Sequence, residues 1–560
     1  MKTYFNVLMK GIVMKKVLLL IAMISLVLTG TADAGTNVNA DIAGSAHWTK
    51  AGAPYHLKQQ IYVLPGATLT IDAGVVVASF VDDQGSLAVC RGAKIYVNGT
   101  AEEPVIMTSA EDVATWTGSV VTTGGTGGSV DSVITMGDPK TGTWREVCNE
   151  WGNLTLMGNA LISASHYGGN PVVINNEGTV RTNDKCPAGL NEKVMEGLVA
   201  AYAGDSRVLY GGDDDDDDSG SISYLSIRYG GKVVGLANEL NGLSLGGIGR
   251  GTTIDHIEIM NNVDDGIEIW GGTVELKYVN IWNIGDDSFD IDQGWRGSAQ
   301  YGLIVQGYSI DASQGSGVGD NCIETDGAED SDAQPVTTAR ISNFTVVGQP
   351  VAGDHGTAWR DNARVQYDAC VWMELGEQLV KNDGDDGDGA NGYGYNGTLS
   401  WADTWATDYT VNSSVNLCGA DPAALYQTQT SGKLAQITNS LFYNNPHASA
   451  YTEATNVGVF DAANNNAVSA TSPIREVLRG TPVTRGGKVM VPVTYINPCA
   501  ADGAAAGGFG NINWLAGWSV VDAYGMTDTS MNASSGDMNG DGQVDLQDYM
   551  IFSENWLLGS

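Results

Sequence analysis

Residues 238–326 say one short phrase four times: Asn241-Gly-Leu-Ser-Leu, Asp265-Gly-Ile-Glu-Ile, Asp287-Ser-Phe-Asp-Ile and Asn321-Cys-Ile-Glu-Thr. The steps between first residues are 24, 22 and 34, and the last step carries a Gly/Ser-rich insertion around Ser313–Gly319. Each apolar run is too short to bury a core alone. A repeat of about 20–25 residues therefore predicts a solenoid, each turn adding one rung.

Alternation then sorts the side chains, because successive strand residues point to opposite faces. One face takes Leu243, Ile267, Phe289 and Ile323, then Leu245, Ile269, Ile291 and Thr325, which predicts the packed interior. Asn241, Asp265, Asp287 and Asn321 share that parity and head the column, where they can bond to one another or to backbone. The other face takes Asp264, Asp286 and Asp320, then Glu268, Asp290 and Glu324, then Trp270, Asp292 and Asp326. Stacked rungs lie about 4.8 Å apart, so these carboxylates become neighbours that need a cation or must keep protons. Three readings stand side by side: a solvated outer face, a calcium-binding column, or catalytic carboxylates.

Lys2, Lys10, Lys15 and Lys16 precede an apolar run from Val17 to Leu28, and Ala32-Asp33-Ala34 fits a small-residue cleavage pattern, so residues 1–34 read as an export signal. Nothing in the remaining chain is apolar enough to span a membrane. The formal charge of −37 becomes −40 once the four Lys and one Asp of that segment are removed. Such a surface disfavours nucleic acid and attracts divalent cations. Seven Cys are scattered without metal-ligand spacing. The expected place is outside the cell or on its surface.

Strand alternation begins near Trp48, in Ile61-Tyr-Val-Leu, Thr68-Leu-Thr-Ile, Ser86-Leu-Ala-Val and Lys94-Ile-Tyr-Val, punctuated by Pro65-Gly66, Ala73-Gly74, Arg91-Gly92 and Asn98-Gly99. The string Gly66-Ala-Thr-Leu-Thr-Ile-Asp-Ala-Gly, with Gly99-Thr-Ala-Glu-Glu-Pro-Val-Ile-Met-Thr-Ser, Trp151-Gly-Asn-Leu-Thr-Leu-Met-Gly and Asp264-Asp-Gly-Ile-Glu-Ile-Trp-Gly-Gly, resembles exported bacterial repeat proteins of the pectin-lyase-like group. That resemblance spans most of residues 48–520 and implies an all-β fold, a right-handed parallel β-helix; it leaves the activity open. Residues 112–150 read as a loop thrown out from the solenoid, and Asp213–Asp218 as a solvated acidic loop.

Asp264-Asp265 and Asp286-Asp287, one coil apart, are similar in spacing to the acidic motifs of polygalacturonases, which use paired carboxylates; the Gly-His-Gly and Arg-Ile-Lys of that family are missing. Pectate lyases combine calcium carboxylates with an Arg base. Arg296, beside Asp290 and Asp292, is the candidate for that part; the competing reading is a structural Arg pairing the acidic column. Trp270 and Trp295 are candidates for stacking on sugar rings or for ordinary packing. His256 is expected on an outer face, and no phosphate loop, zinc pattern or nucleophile elbow is present.

Strand-like runs continue to about residue 445, interrupted by Asp383–Asn396, and residues 446–520 close the domain by a path the sequence does not trace. Residues 521–536 read as a linker. At the end, Asp537, Asn539, Asp541, Asp545 and Asp548 stand at positions 1, 3, 5, 9 and 12 of a calcium loop, with Gly542 at 6 and the Gln543 carbonyl at 7. Residues 537–560 resemble one half of a dockerin, an α-helical EF-hand-like half module; dockerins carry two such loops and bind cohesin modules, and this chain has one. The expectation is thus a calcium-binding β-helix presenting an acidic face to extracellular polysaccharide or a surface protein, with a cohesin-like module as partner of the tail. The alternative is a polysaccharide lyase or glycoside hydrolase working on Asp264–Asp326.

Overall fold

The structure is a computed structural model that describes residues 35–529, apart from 123–131, 164–191, 199–200, 203, 236–237, 309–318, 328–334, 352–354, 362, 383–399, 410–428, 430, 447–458, 486, 502–503 and 505. The export-signal segment, the 383–396 stretch and the calcium-loop residues 537–548 lie outside the described residues.

Nine strands form one parallel sheet and stack in chain order: β1 (Gln60–Val63), β2 (Ser86–Val89), β3 (Leu154–Met157), β4 (Leu243–Ile248), β5 (Ile267–Gly272), β6 (Phe289–Asp292), β7 (Asn321–Asp326), β8 (His355–Arg360) and β9 (Val380–Asn382). A strand that pairs only with the rung before and the rung after is what a repeating phrase must produce. The chain is a parallel β-helix, and among the described residues no helix is long and apolar enough to cross a membrane.

The second sheet contains longer strands, among them Gly220–Arg228, Thr253–Asn262, Glu275–Ile284, Ser298–Val305 and Thr338–Val347. Each bends in mid-strand, at Tyr224, His256, Tyr278, Tyr301 and Asn343, where φ is 51°, 51°, 58°, 62° and 56°. The bend residue drops out of the ladder: Ser223 pairs with Asp255 and Leu225 with Ile257, while Tyr224 and His256 pair with nothing. One sheet therefore supplies two walls of the coil. The left-handed conformation is unfavourable for bulky residues. Here ring stacking offsets it: centroids are 4.0 Å apart for Tyr224–His256, 4.3 Å for His256–Tyr278 and 5.1 Å for Tyr278–Tyr301. His256 is half-buried inside this stack, with Nδ1 2.7 Å from Asp255 Oδ1.

The interior is built of registered columns. Ile222, Ile254, Leu276, Ala299 and Ile341 form one, and Ile227, Ile259, Ile281, Ile304 and Val346 another, all at most 1% exposed. Burying each Ile, Leu or Val of these columns contributes about 1.5–3 kcal/mol. In a third column, Leu225, Ile257 and Val279 are followed by Gly302 and Phe344. A Cβ on Gly302 would collide with the Phe344 ring, so that ring fills the space the glycine vacates.

Several connections pack more tightly than their composition predicts. Within 112–150, Trp116 and Ile134 are buried against Val76, Ala78 and Ile106, so this insert covers the first coils. The acidic run is largely exposed, as expected, with Asp213, Asp214, Asp216 and Asp218 open to solvent, yet it is also tied down: Asp215 binds the buried Arg296, while Asp216 binds Arg250 and Asp218 binds Lys94 at the surface. The described residues from 459 onward show part of the path that closes the domain. Ile474–Arg479 pairs antiparallel with Val493–Ala500, and the chain then runs as a strap over the outer face of the bent sheet. There Ile496, Phe509, Leu515, Val520 and Val521 pack on Met260, Trp282, Leu303, Val305 and Val347. Val521 and Thr527 are buried, so the packed body continues through residue 527 instead of giving way to a linker after 520.

Candidate functional site

The register on the nine-stranded sheet aligns Ser244, Glu268, Asp290, Glu324, Ala358 and Lys381 in one outward column. Beside it Trp270 pairs with Asp292, and Asp326 with Arg360. Period-two alternation and the repeat phase together suffice to bring Glu268, Asp290 and Glu324 into line. The phrase's first residues form a second ladder where the chain enters each strand, in the turn before β4, β5 and β6 and at the first residue of β7. Asn241 Oδ1 accepts from Asp265 N (3.2 Å), Asp265 Oδ1 from Asp287 N (2.9 Å), and Asp287 Oδ1 from Asn321 N (2.5 Å). One oxygen of each Asp is so fixed by the backbone of the next rung.

Because Asp265 and Asp287 precede their strands, strand alternation does not send these carboxylates inward. Asp265 joins the outward acids instead. Ligand oxygens of Asp264, Asp265 and Asp286 lie within 4.8 Å of one another, and so do those of Asp265, Glu268 and Asp290. Asp265 belongs to both groups and is buried, as are Glu268 and Asp287. The packing of Asp320 on the same edge is shown by its N–H donating to the Asp286 carbonyl at 3.2 Å.

Burial first, and then like-charged neighbours, suppress ionisation throughout. The Asp264 carboxyl is pushed up to about 7 by burial, with Glu196 and Glu239 adding to it. Asp286 is pushed up to about 8 by burial and by Asp264, Asp320 and Glu324, with Lys488 opposing. Asp265, Glu268, Asp287 and Asp290 are held well above the usual carboxylate range for the same two reasons. With no cation at hand the cluster must therefore retain protons at neutral pH.

A calcium ion suits this donor set. It takes only oxygen ligands at about 2.3–2.6 Å, so ligands on opposite sides of the ion stand about 5 Å apart, which the 4.8 Å groups accommodate. Asp286 Oδ1 and Asn321 Oδ1 are buried acceptors that make no hydrogen bond. Asp265 would serve two neighbouring ions or one displaced between the groups.

Three expected residues sit elsewhere. Arg296 is 1% exposed and bidentate to Asp215 at 2.5 and 2.7 Å, with Nη2 also donating to the Leu161 carbonyl at 2.9 Å. Burial opposes ionisation of Asp215, but this guanidinium outweighs it and holds the carboxyl below its ordinary value. Arg296 is structural, and its partner is the 213–218 run rather than the column. Trp295 is wholly buried, donating to the Val274 carbonyl at 3.0 Å and packed on Phe289, and offers no face to a sugar. Trp270 is 5% exposed and leans on Tyr210, with centroids 6.0 Å apart. It lines a cavity of about 320 Å³ with Lys193, Met195, Glu196 and Tyr210 rather than forming an open platform.

The arginine of the column is Arg360, bound to Asp326 at 2.8 and 2.9 Å and to Glu324. It was legible: His355-Gly-Thr-Ala-Trp-Arg360 is the next repeat of the phrase begun at Asn321. Glu196 was not, since it comes from an insert hairpin, Lys193–Val194 with Leu209–Tyr210, whose sequence carries no repeat phase. The Glu196 carboxyl is pushed up to about 7 by burial and by Glu239.

A family model described as a pectate-lyase-like β-helix domain matches residues 43–444. Among solved structures, the chain is similar to a mutant of the periplasmic alginate epimerase AlgG, with 10% identity and a TM-score of 0.24, over 69% of this chain and 72% of that one. A search of curated proteins returns no match.

Proposed function

The chain belongs to the pectate-lyase-like β-helix family, and from that membership we propose that it is an exported, calcium-binding protein that engages extracellular polysaccharide through its carboxylate column. The observation that carries this reading is the convergence of two three-carboxylate groups on Asp265. Like charges that close are stable only with a cation or with bound protons. A calcium ion held by Asp265 with Glu268 and Asp290, or with Asp264 and Asp286, would leave coordination positions for the hydroxyl or carboxylate oxygens of a glycan. Residues 1–34 would direct export, and the dockerin-like loop of Asp537, Asn539, Asp541, Gln543, Asp545 and Asp548 would bind a further calcium and tether the protein, with a cohesin-like module as its partner.

Polysaccharide cleavage is the second reading, favoured by Asp264 and Asp286, whose carboxyls hold a proton near neutral pH. The two groups do not suit inverting hydrolysis, which spaces its carboxyls about 6.5–9.5 Å apart to admit water. Neither Arg296 nor Arg360 is placed to act as a lyase base, since Arg296 is committed to Asp215 and Arg360 to Glu324 and Asp326. The test is calorimetric calcium titration of residues 35–560, then glycan binding and turnover on neutral and acidic polysaccharides with and without calcium. Calcium-dependent binding without new reducing ends or unsaturated products is the expected result. Binding indifferent to calcium would overturn the proposal, and turnover lost in Asp264→Asn or Asp286→Asn would establish the second reading.

A further inference from the structure

We propose that a cavity beneath the C-terminal strap is a binding site for a small organic monocarboxylate, anchored by Arg228. The cavity, about 300 Å³, is lined by Val76, Ile106, Met136 and Trp518 together with Arg228 and Ala523. It shares no lining residue with the carboxylate column, and its size falls at the lower end of small-molecule sites, which run from about 300 to 1,000 Å³. It exists because the 112–150 insert and the strap both cover the outer face of the bent sheet and leave a gap between them.

Arg228 is the group in that gap that is short of hydrogen bonds; its guanidinium also lies over the Tyr524 ring, 6.0 Å from the centroid. Its side chain is 1% exposed. Among the described residues its guanidinium makes one hydrogen bond, from Nε to Ser226 Oγ at 2.8 Å. Nη1 makes none and stands 3.9 Å from Asp112 Oδ2. Both nearby carboxylates are engaged by other donors. Asp112 accepts from Thr108 Oγ1 at 2.9 Å and from Tyr524 OH at 3.3 Å. Glu258 accepts from Asn280 at 2.9 Å and from Val520 N at 2.8 and 3.0 Å.

Buried donors are almost always satisfied, and a guanidinium fork matches a carboxylate with two parallel hydrogen bonds. The walls specify the rest of the ligand. Val76, Ile106 and Met136 favour an apolar body, while Glu102 and Asp138 on the lining disfavour a doubly charged phosphate. Of the lysines on the lining, Lys50 is paired with Glu103 at 2.5 Å, and Lys140 is exposed to solvent, unlike the buried Arg228.

Benzoate is the probe, benzamide its uncharged isostere and inorganic phosphate the dianion, each titrated into full-length protein by calorimetry and followed by Trp518-sensitive fluorescence. Benzoate should bind at one site, on the order of tenfold tighter than benzamide, with no saturable phosphate binding. Ala523→Trp fills the cavity from the strap and leaves Arg228 itself in place, so it should abolish benzoate binding while the circular dichroism spectrum and calcium binding stay unchanged. Arg228→Gln, where circular dichroism shows it folded, should lose the preference for benzoate over benzamide. Equal binding of benzoate and benzamide by the unaltered protein overturns the proposal, as does undiminished benzoate binding by folded Ala523→Trp protein.

Discussion

Asp265 does two jobs with its two oxygens. One accepts from the Asp287 N–H at 2.9 Å and fixes the rung below, and the carboxylate as a whole joins both three-carboxylate groups. Asp265→Asn keeps an oxygen for the backbone but removes the shared charge. Losing even an outer partner of a metal ligand costs about 10–100-fold in affinity, so this substitution should weaken calcium binding at least that much with little change in circular dichroism. Arg296→Met makes the opposite prediction. It leaves Asp215 buried without its partner, which should cost about 3–5 kcal/mol in denaturant unfolding, with calcium affinity unchanged. The two arginines also show what a sequence can disclose. Arg360 follows from counting one more repeat, whereas Arg296 and Asp215 are 81 residues apart and joined by an insert whose path no periodicity encodes.

At the scale of elements, registered strands were legible because period-two alternation and the repeat step over-determine them. Glu268, Asp290 and Glu324 face outward together for that reason alone. Inserts and the strap were not, because their apolar residues answer to a surface made elsewhere in the chain. Gly302 and Phe344 test the packing of the bent sheet. Gly302→Ala should cost about 1–3 kcal/mol by overpacking, and Phe344→Leu in the same chain should recover part of the loss, measured as the coupling energy of a double-mutant cycle. Leu515→Ala, at a wholly buried strap position, should cost about 2–5 kcal/mol and raise the binding of a dye that reports exposed apolar surface.

For the molecule as a whole, the raised carboxyls link stability to pH with a definite sign. Asp264 and Asp286 titrate near 7 and 8 when folded, against about 3.9 when unfolded. The folded state holds the extra protons, so without calcium its stability should fall as the pH rises from about 4 to about 8. Melting temperatures in a chelator should therefore decline across that window, and Asp286→Asn should flatten the decline. Saturating calcium stabilises only the folded state and should raise the melting temperature most at the alkaline end.

The solenoid's order of assembly has one further consequence. Every rung pairs with rungs made just before and just after it, so the coil can wind progressively from its N-terminal side. The strap cannot take part in that. Val520 reaches back to Glu258 across 262 residues, and its neighbours cover Met260, Trp282 and Leu303. During synthesis the wound coil must carry a bare apolar stripe until the strap arrives, and that interval is when the chain is most open to self-association.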